Sequence, residues 1–194
     1  MSDQVLPADD EKVRSVAELI RGRRSINLFE PEPVGSDVLL DAIELASWAP
    51  NHRLTEPWRF YLIGPERAAA VADCWAGYEV ELKGEAAGAA RRKRLGGIPG
   101  HFVLTTARSD DDVTDQENYA ACCCAAQNLM LYLWQRGVGV KWTTGAITRE
   151  SRMYETLGID VRAERIVGYF WYGRAKMVAK QKRRPVKEFV VALD

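Results

Sequence analysis

A chain of 194 residues with 47% apolar content is long enough to bury a core and short enough to be a single domain over residues 1–194. Lysine plus arginine and aspartate plus glutamate each number 27, so the net charge is zero, and no whole-molecule field selects nucleic acid or an anionic membrane. Three of the four cysteines are adjacent, at Cys122, Cys123 and Cys124, which is the spacing of neither a disulfide framework nor a Cys-x-x-Cys metal site.

Asp9 or Asp10 is placed to cap a first helix in which Val13, Val16, Ala17 and Ile20 recur at i, i+3, i+4 and i+7, and Gly22 is placed to end it. Arg23-Arg24-Ser25 follows at the helix terminus. Two forked, permanently charged guanidiniums and a hydroxyl suit a phosphate, although an isolated Arg-Arg-Ser is more often a solvated basic turn. The Phe-Glu-Pro-Glu-Pro-Val run over 29–34 cannot be helical in its middle and reads as a linker. Ser36 then caps a helix that Pro50 stops at Ala49. The polar loop over 49–60, Ala-Pro-Asn-His-Arg-Leu-Thr-Glu-Pro-Trp-Arg-Phe, is pinned at both ends by packed elements. Trp58 to Ile63 reads as a buried strand closed by Gly64-Pro65, and loops held in this way are where sites tend to lie.

Residues 66–95 are rich in Ala, Glu, Arg and Lys and predict helix, broken or loosened near Gly77, Gly84 and Gly88. Arg91-Arg-Lys-Arg94 reads as a solvated helix face, since it lacks interleaved aromatics and has acidic neighbours at Glu79, Glu81 and Glu85. Strands are expected over 101–107, 138–144 and 165–172. His101 opens the first of these in a structural role. The acidic stretch 109–117 reads as an exposed connection, and 119–135 as the longest apolar helix, central to the core. Its cysteines point about 100° apart and cannot converge on a metal, so they read as small core hydrophobes. Thr148 caps a short helix that ends at Gly158.

The tail carries Lys176, Lys180, Lys182, Arg183 and Arg184, then Pro185 and the apolar Phe189-Val-Val-Ala-Leu193. A stretch that apolar would not be left free in water, so it either adds a strand to its own sheet or reaches onto a partner subunit. The chain mixes helices and strands without strict alternation, which predicts an α+β domain with a central sheet. It contains neither a Gly-x-Gly-x-x-Gly nor a Gly-x-x-x-x-Gly-Lys-Ser/Thr loop, so no built-in Rossmann site or P-loop is supported. With no basic leader and no run near the roughly 18 apolar residues of a membrane span, the expectation is a soluble, cytoplasmic protein.

Several blocks then line up in order: Arg23-Arg-Ser25 with Pro-Glu-Pro-Val, Ala49-Pro-Asn-His-Arg with Glu56-Pro-Trp-Arg-Phe60, Ala126-Gln-Asn-Leu with Gly137-Val-Gly, Trp142-Thr-Thr-Gly145, and Ile166-Val-Gly-Tyr with the Arg-Arg-Pro of the tail. In this arrangement the chain resembles the nitroreductase superfamily of flavin mononucleotide enzymes, in its compact YdjA-like subgroup. The resemblance implies a mostly antiparallel sheet flanked by helices, with the tail reaching onto the partner of a homodimer. It implies two FMN sites at the subunit interface. Arg23, Arg24 and Ser25 would contact the flavin and its phosphate, and Arg183 would be a second phosphate ligand. Thr143, Thr144 and Gly145 would line the ring, with a backbone N–H near N5. Trp48 and His52 would come from the other subunit, His52 in a binding or packing role rather than as a general acid. The implied activity is hydride transfer from NAD(P)H, through the flavin, to a small-molecule acceptor such as a nitroaromatic or quinone, alternating in one pocket. A specialised flavin enzyme of the same superfamily is one alternative. A flavin-binding module without turnover is another, with Glu56, where many relatives have Gln, as the mark of that loss.

Overall fold

A computed structural model describes residues 10–193. Asp9, one of the two expected caps of the first helix, lies outside the described residues. In chain order the elements are α1 (Asp10–Gly22), α2 (Ser36–Ala46), β1 (Trp58–Ile63), α3 (Pro65–Lys83), α4 (Glu85–Gly96), β2 (Gly100–Ala107), α5 (Asp112–Gln135), β3 (Val138–Thr143), α6 (Ser151–Leu157) and β4 (Glu164–Arg174). The four strands form one antiparallel sheet in the order β1-β2-β4-β3, so β2 and β4 are interior and β1 and β3 are edges. This is the expected α+β fold with an antiparallel sheet flanked by helices. No described helix is long and apolar enough to cross a membrane.

Because successive strand residues face opposite sides, the sheet separates two cores. One face packs Phe102, Leu104 and Phe170 against Leu39 and Ala42 of α2 and Cys122, Ala126 and Leu129 of α5. The other packs Val103, Tyr169 and Trp171 against Val71 and Trp75 of α3, Leu95 of α4 and Met153 of α6. The long helix is thus central, as its apolar spacing predicted.

Several local expectations are corrected. The acidic stretch is not a loose connection but the first turns of α5: the Asp111 carboxylate accepts from the Thr114 N–H at 2.8 Å, and acidic side chains suit a helix N-terminus. Ser36 is the first residue of α2 rather than its cap, and Gly35 holds the cap position without a side-chain bond. Thr148 sits in a 3-10 turn, Ala146–Arg149, before α6, where its hydroxyl donates to the Gly145 carbonyl at 2.8 Å. β1 is a half-buried edge strand rather than a buried one, with Arg59 and Leu62 outward.

The helical stretch breaks at Gly84 alone, whose φ of 86° is a left-handed value that favours glycine. Gly77 and Gly88 lie inside helices. Of the three adjacent cysteines only Cys122 is fully buried, while Cys124 is exposed. The tail adds no strand to its own sheet among the described residues: after the Phe29–Ala175 bridge it runs exposed through a single 3-10 turn, Val186–Glu188.

Candidate functional site

α1 ends where its last carbonyls need partners, and Arg24 supplies them. Its Nη1 donates to the carbonyls of Arg21, Gly22 and Arg23 at 2.5, 3.1 and 2.8 Å. The chain then docks on the sheet edge, with Ser25 bridging Val140 in parallel and the Ile26 N–H donating to the Val140 carbonyl at 3.1 Å. Gly139 makes this seat possible. A Cβ there would stand 2.4 Å from Ile26 Cγ1, so a side chain would push the segment off the strand.

Seated in this way, Arg23 and Arg24 face a cavity of about 600 Å³ shared with Ile20, Arg21, Gln127, Gln181 and Arg183. Burial, then the Arg183 and Arg24 guanidiniums, hold Arg23 below the ordinary arginine value. Crowded like charges, with no carboxylate among the described residues that line the cavity, make a positive concavity, which is what an anionic headgroup requires. The two basic clusters at opposite ends of the sequence are therefore brought together. Gln127 and Gln181 were not singled out from the sequence. In an extended tail, residues two apart share a side, which carries Gln181 to the cavity along with Arg183.

At the far end of β3 the backbone turns at Thr144-Gly145. Thr143 is buried and its hydroxyl donates to the Tyr169 carbonyl at 2.9 Å, which fixes the strand end. Thr144 and Gly145 are exposed. The Gly145 carbonyl accepts from both the N–H and the hydroxyl of Thr148, while its own N–H finds no acceptor among the described residues. It is a free donor on an exposed turn. Trp142 packs away from that surface, stacked on Phe170 with its Nε1 donating to the Val167 carbonyl at 3.1 Å.

Trp48 and His52 lie elsewhere and do not line the cationic cavity. Trp48 is 76% exposed, held by its Nε1 donating to Glu44 Oε1 at 2.9 Å. His52 is also exposed, and its Nδ1 lies 2.6 Å from Glu117 Oε2 of α5. The loop that follows His52 stores backbone strain: Arg53, Leu54 and Glu56 have φ of 56°, 53° and 44°. Such residues cost on the order of 1–3 kcal/mol each and persist only when their surroundings over-determine them. Here the Asn51 side chain accepts from the Glu56 N–H at 2.9 Å, and Thr55 donates to Asn118 of α5 at 3.2 Å. Among the described residues no group of three metal-ligating side chains converges.

Residues 20–174 match the model of the Nitroreductase family. The Bacillus subtilis (strain 168) protein named "Putative NAD(P)H nitroreductase YfhC" is 31% identical over 176 residues, spanning 88% of this chain and 90% of that one. A solved nitroreductase-like family protein from Bacillus cereus is 30% identical, with a TM-score of 0.82 over 92% of this chain and 96% of that one. The FMN-dependent nitroreductase NfnB from Mycobacterium smegmatis, solved in complex with NADPH, shares the fold at 17% identity, with a TM-score of 0.75 over 94% of this chain and 100% of that one.

Proposed function

The chain belongs to the nitroreductase family, and from that premise we propose that it is an FMN-dependent oxidoreductase that takes hydride from NADH or NADPH and passes it to a nitroaromatic or quinone. The observation that carries this reading is the meeting of Arg23, Arg24 and Arg183 at one cavity. Arg23 and Arg183 would hold the FMN phosphate. Arg24, with one nitrogen committed to the end of α1, would position the segment and contribute charge. Ser25 would add a hydroxyl beside it. Bound FMN supplies two-electron hydride acceptance and donation between reductant and acceptor. Thr143 holds the strand end at which Thr144 and Gly145 would line the ring, and the Gly145 N–H would donate to it.

The same charges would attract nucleic acid only on an extended basic face. A cavity of this size in a chain of zero net charge suits one headgroup instead.

The active unit in this reading is a homodimer. Val13, Val16 and Ile20 form the apolar row of α1, yet each is more than half exposed, and Trp48, Leu54 and the tail residues Val191 and Leu193 are more exposed still. An apolar surface of this kind marks an interface. Its closure by a second copy would bring that copy's Trp48 and His52 over the flavin and seat the tail on the partner. The four free cysteines agree with a cytoplasmic setting.

The test begins with the purified protein's visible spectrum and a titration with FMN, followed by steady-state oxidation of NADH and NADPH with a quinone or a nitroarene. Bound flavin that bleaches on reductant and recovers on acceptor is the expected result. Colourless protein that fails to take up FMN overturns the reading. Bound flavin without turnover leaves a binding module.

A further inference from the structure

We propose that Arg149 and Arg165 bind the carboxylate of an aromatic electron acceptor, in a second cavity beside the turn assigned to the flavin ring. The inference rests on the flavin reading above and names the class of acceptor. This cavity, of about 240 Å³, lies between the N-terminal half of α5, the start of β4 and the turn that follows β3. Tyr119, Thr144, Arg149 and Arg165 line it, with Ile166 and Val167. It shares no lining residue with the cavity that gathers Arg23 and Arg183.

Both guanidiniums are accessible, and both are held in place. Arg149 is exposed, and its Nη1 donates to the Thr144 carbonyl at 3.3 Å. The Arg165 side chain is 33% exposed; its Nη1 lies 3.1 Å from Asp115 Oδ2, and its guanidinium lies 4.6 Å from the centre of the Tyr119 ring. The second terminal nitrogen of each arginine has no partner among the described residues. Fixed guanidiniums with N–H groups to spare are what a carboxylate needs for charge-assisted hydrogen bonds. The charges also fit an anion of one unit. Asp115 offsets Arg165 without lining the cavity, and Arg149 forms no ion pair among the described residues, so a single positive charge is left over.

Position identifies the ligand. Thr144 both lines this cavity and belongs to the turn assigned to the flavin ring, and Arg149 is bonded to its carbonyl. An anion held here is close enough to the reacting centre that acid and reducible group must belong to one small molecule. Sites for whole small-molecule ligands usually span roughly 300–1,000 Å³, so this smaller cavity admits a carboxylate with part of its ring and not a dinucleotide. One unbalanced positive charge likewise matches a carboxylate better than the paired phosphates of NADH or NADPH. The Tyr119 ring offers a flat wall to the aromatic group that carries the acid.

Calorimetric titration of the protein, incubated with FMN, with 4-nitrobenzoate and with neutral 4-nitrobenzyl alcohol tests this. Wild type is expected to prefer the carboxylate. Arg149→Gln is expected to lower that preference about tenfold or more, the range for one hydrogen bond to a charged group. Glutamine keeps a donor for the Thr144 carbonyl, so the turn stays held while the charge goes. Arg165→Gln should act in the same direction, and the exposed Arg149 keeps the test decisive should loss of the Asp115 partner unfold that second variant. Equal weakening for both ligands, no change for either, or an equal rise in the KM for NADH overturns the inference. Flavin absorbance is read on the same samples. Protein that takes up no FMN overturns the flavin reading together with this one, whereas FMN-loaded protein without a carboxylate preference overturns this one alone.

Discussion

Arg23 and Arg183 stand near opposite ends of the chain and face one cavity, where the Arg183 guanidinium makes the Arg23 charge harder to hold. The repulsion is tolerable only if an anion relieves it. Arg23→Ala and Arg183→Ala are each expected to lower FMN affinity by roughly tenfold to a hundredfold, the range for one hydrogen bond to a charged group. Neither should lower the melting temperature of the flavin-free protein, because each removes a repulsive partner. Flavin fluorescence quenching and a thermal melt of the apoprotein check both halves. An unchanged FMN affinity in both variants would remove the phosphate assignment.

Gly139 touches no proposed ligand, yet it is the seat of the segment that presents Arg23 and Ser25. Gly139→Ala places a methyl group inside Ile26 and is expected to destabilise the fold by about 1–3 kcal/mol, the usual overpacking cost. FMN affinity should fall with it. Chemical denaturation together with the FMN titration measures the two effects, and retention of full affinity would show that the seat can shift without moving the arginines.

α1 has an apolar row and no buried residue, so its stability depends on what covers that row. Val16→Asp places a charge in the expected interface and should weaken the dimer by a factor of about ten or more, while the helical content of the separated chains stays close to wild type. Sedimentation velocity across a dilution series, paired with far-ultraviolet circular dichroism, reads this. A dimer that persists undiminished excludes α1 from the interface.

His101 is 6% exposed, and its Nε2 lies 3.2 Å from the Ile98 carbonyl. Burial lowers its pKa from 6.5 to about 4. Because the folded value is depressed, the unfolded chain binds the proton first as the pH falls. Stability is therefore full above pH 6.5 and is lost between 6.5 and about 4, by at most about 3 kcal/mol from this residue. His101→Gln should flatten that part of the stability curve. Urea melts at pH 7, 5.5 and 4.5 decide the matter, and an unchanged slope in the variant would mean that other groups carry the acid sensitivity.

Much of this molecule was legible from the sequence because the signals are local. The apolar row of α5, the β-branched runs of β2 and β4, the left-handed Gly158 that stops α6 and the Pro-rich linker each act within a few residues. The misreadings were local choices settled by something else nearby: an aspartate cap turned an acidic loop into helix, and an edge position left β1 half exposed.

What the sequence by itself determined was the α+β class, the antiparallel sheet and the ordered blocks that place the chain in its family. The tertiary structure alone decided that Arg23 and Arg183 share a cavity, that Arg24 is partly spent on a helix end, and that Arg149 and Arg165 share a second cavity with Thr144. The reason is physical. Periodicity and capping report on neighbours along the chain, whereas the potential at a point in space sums charges from segments whose proximity is set by how the sheet and its helices pack.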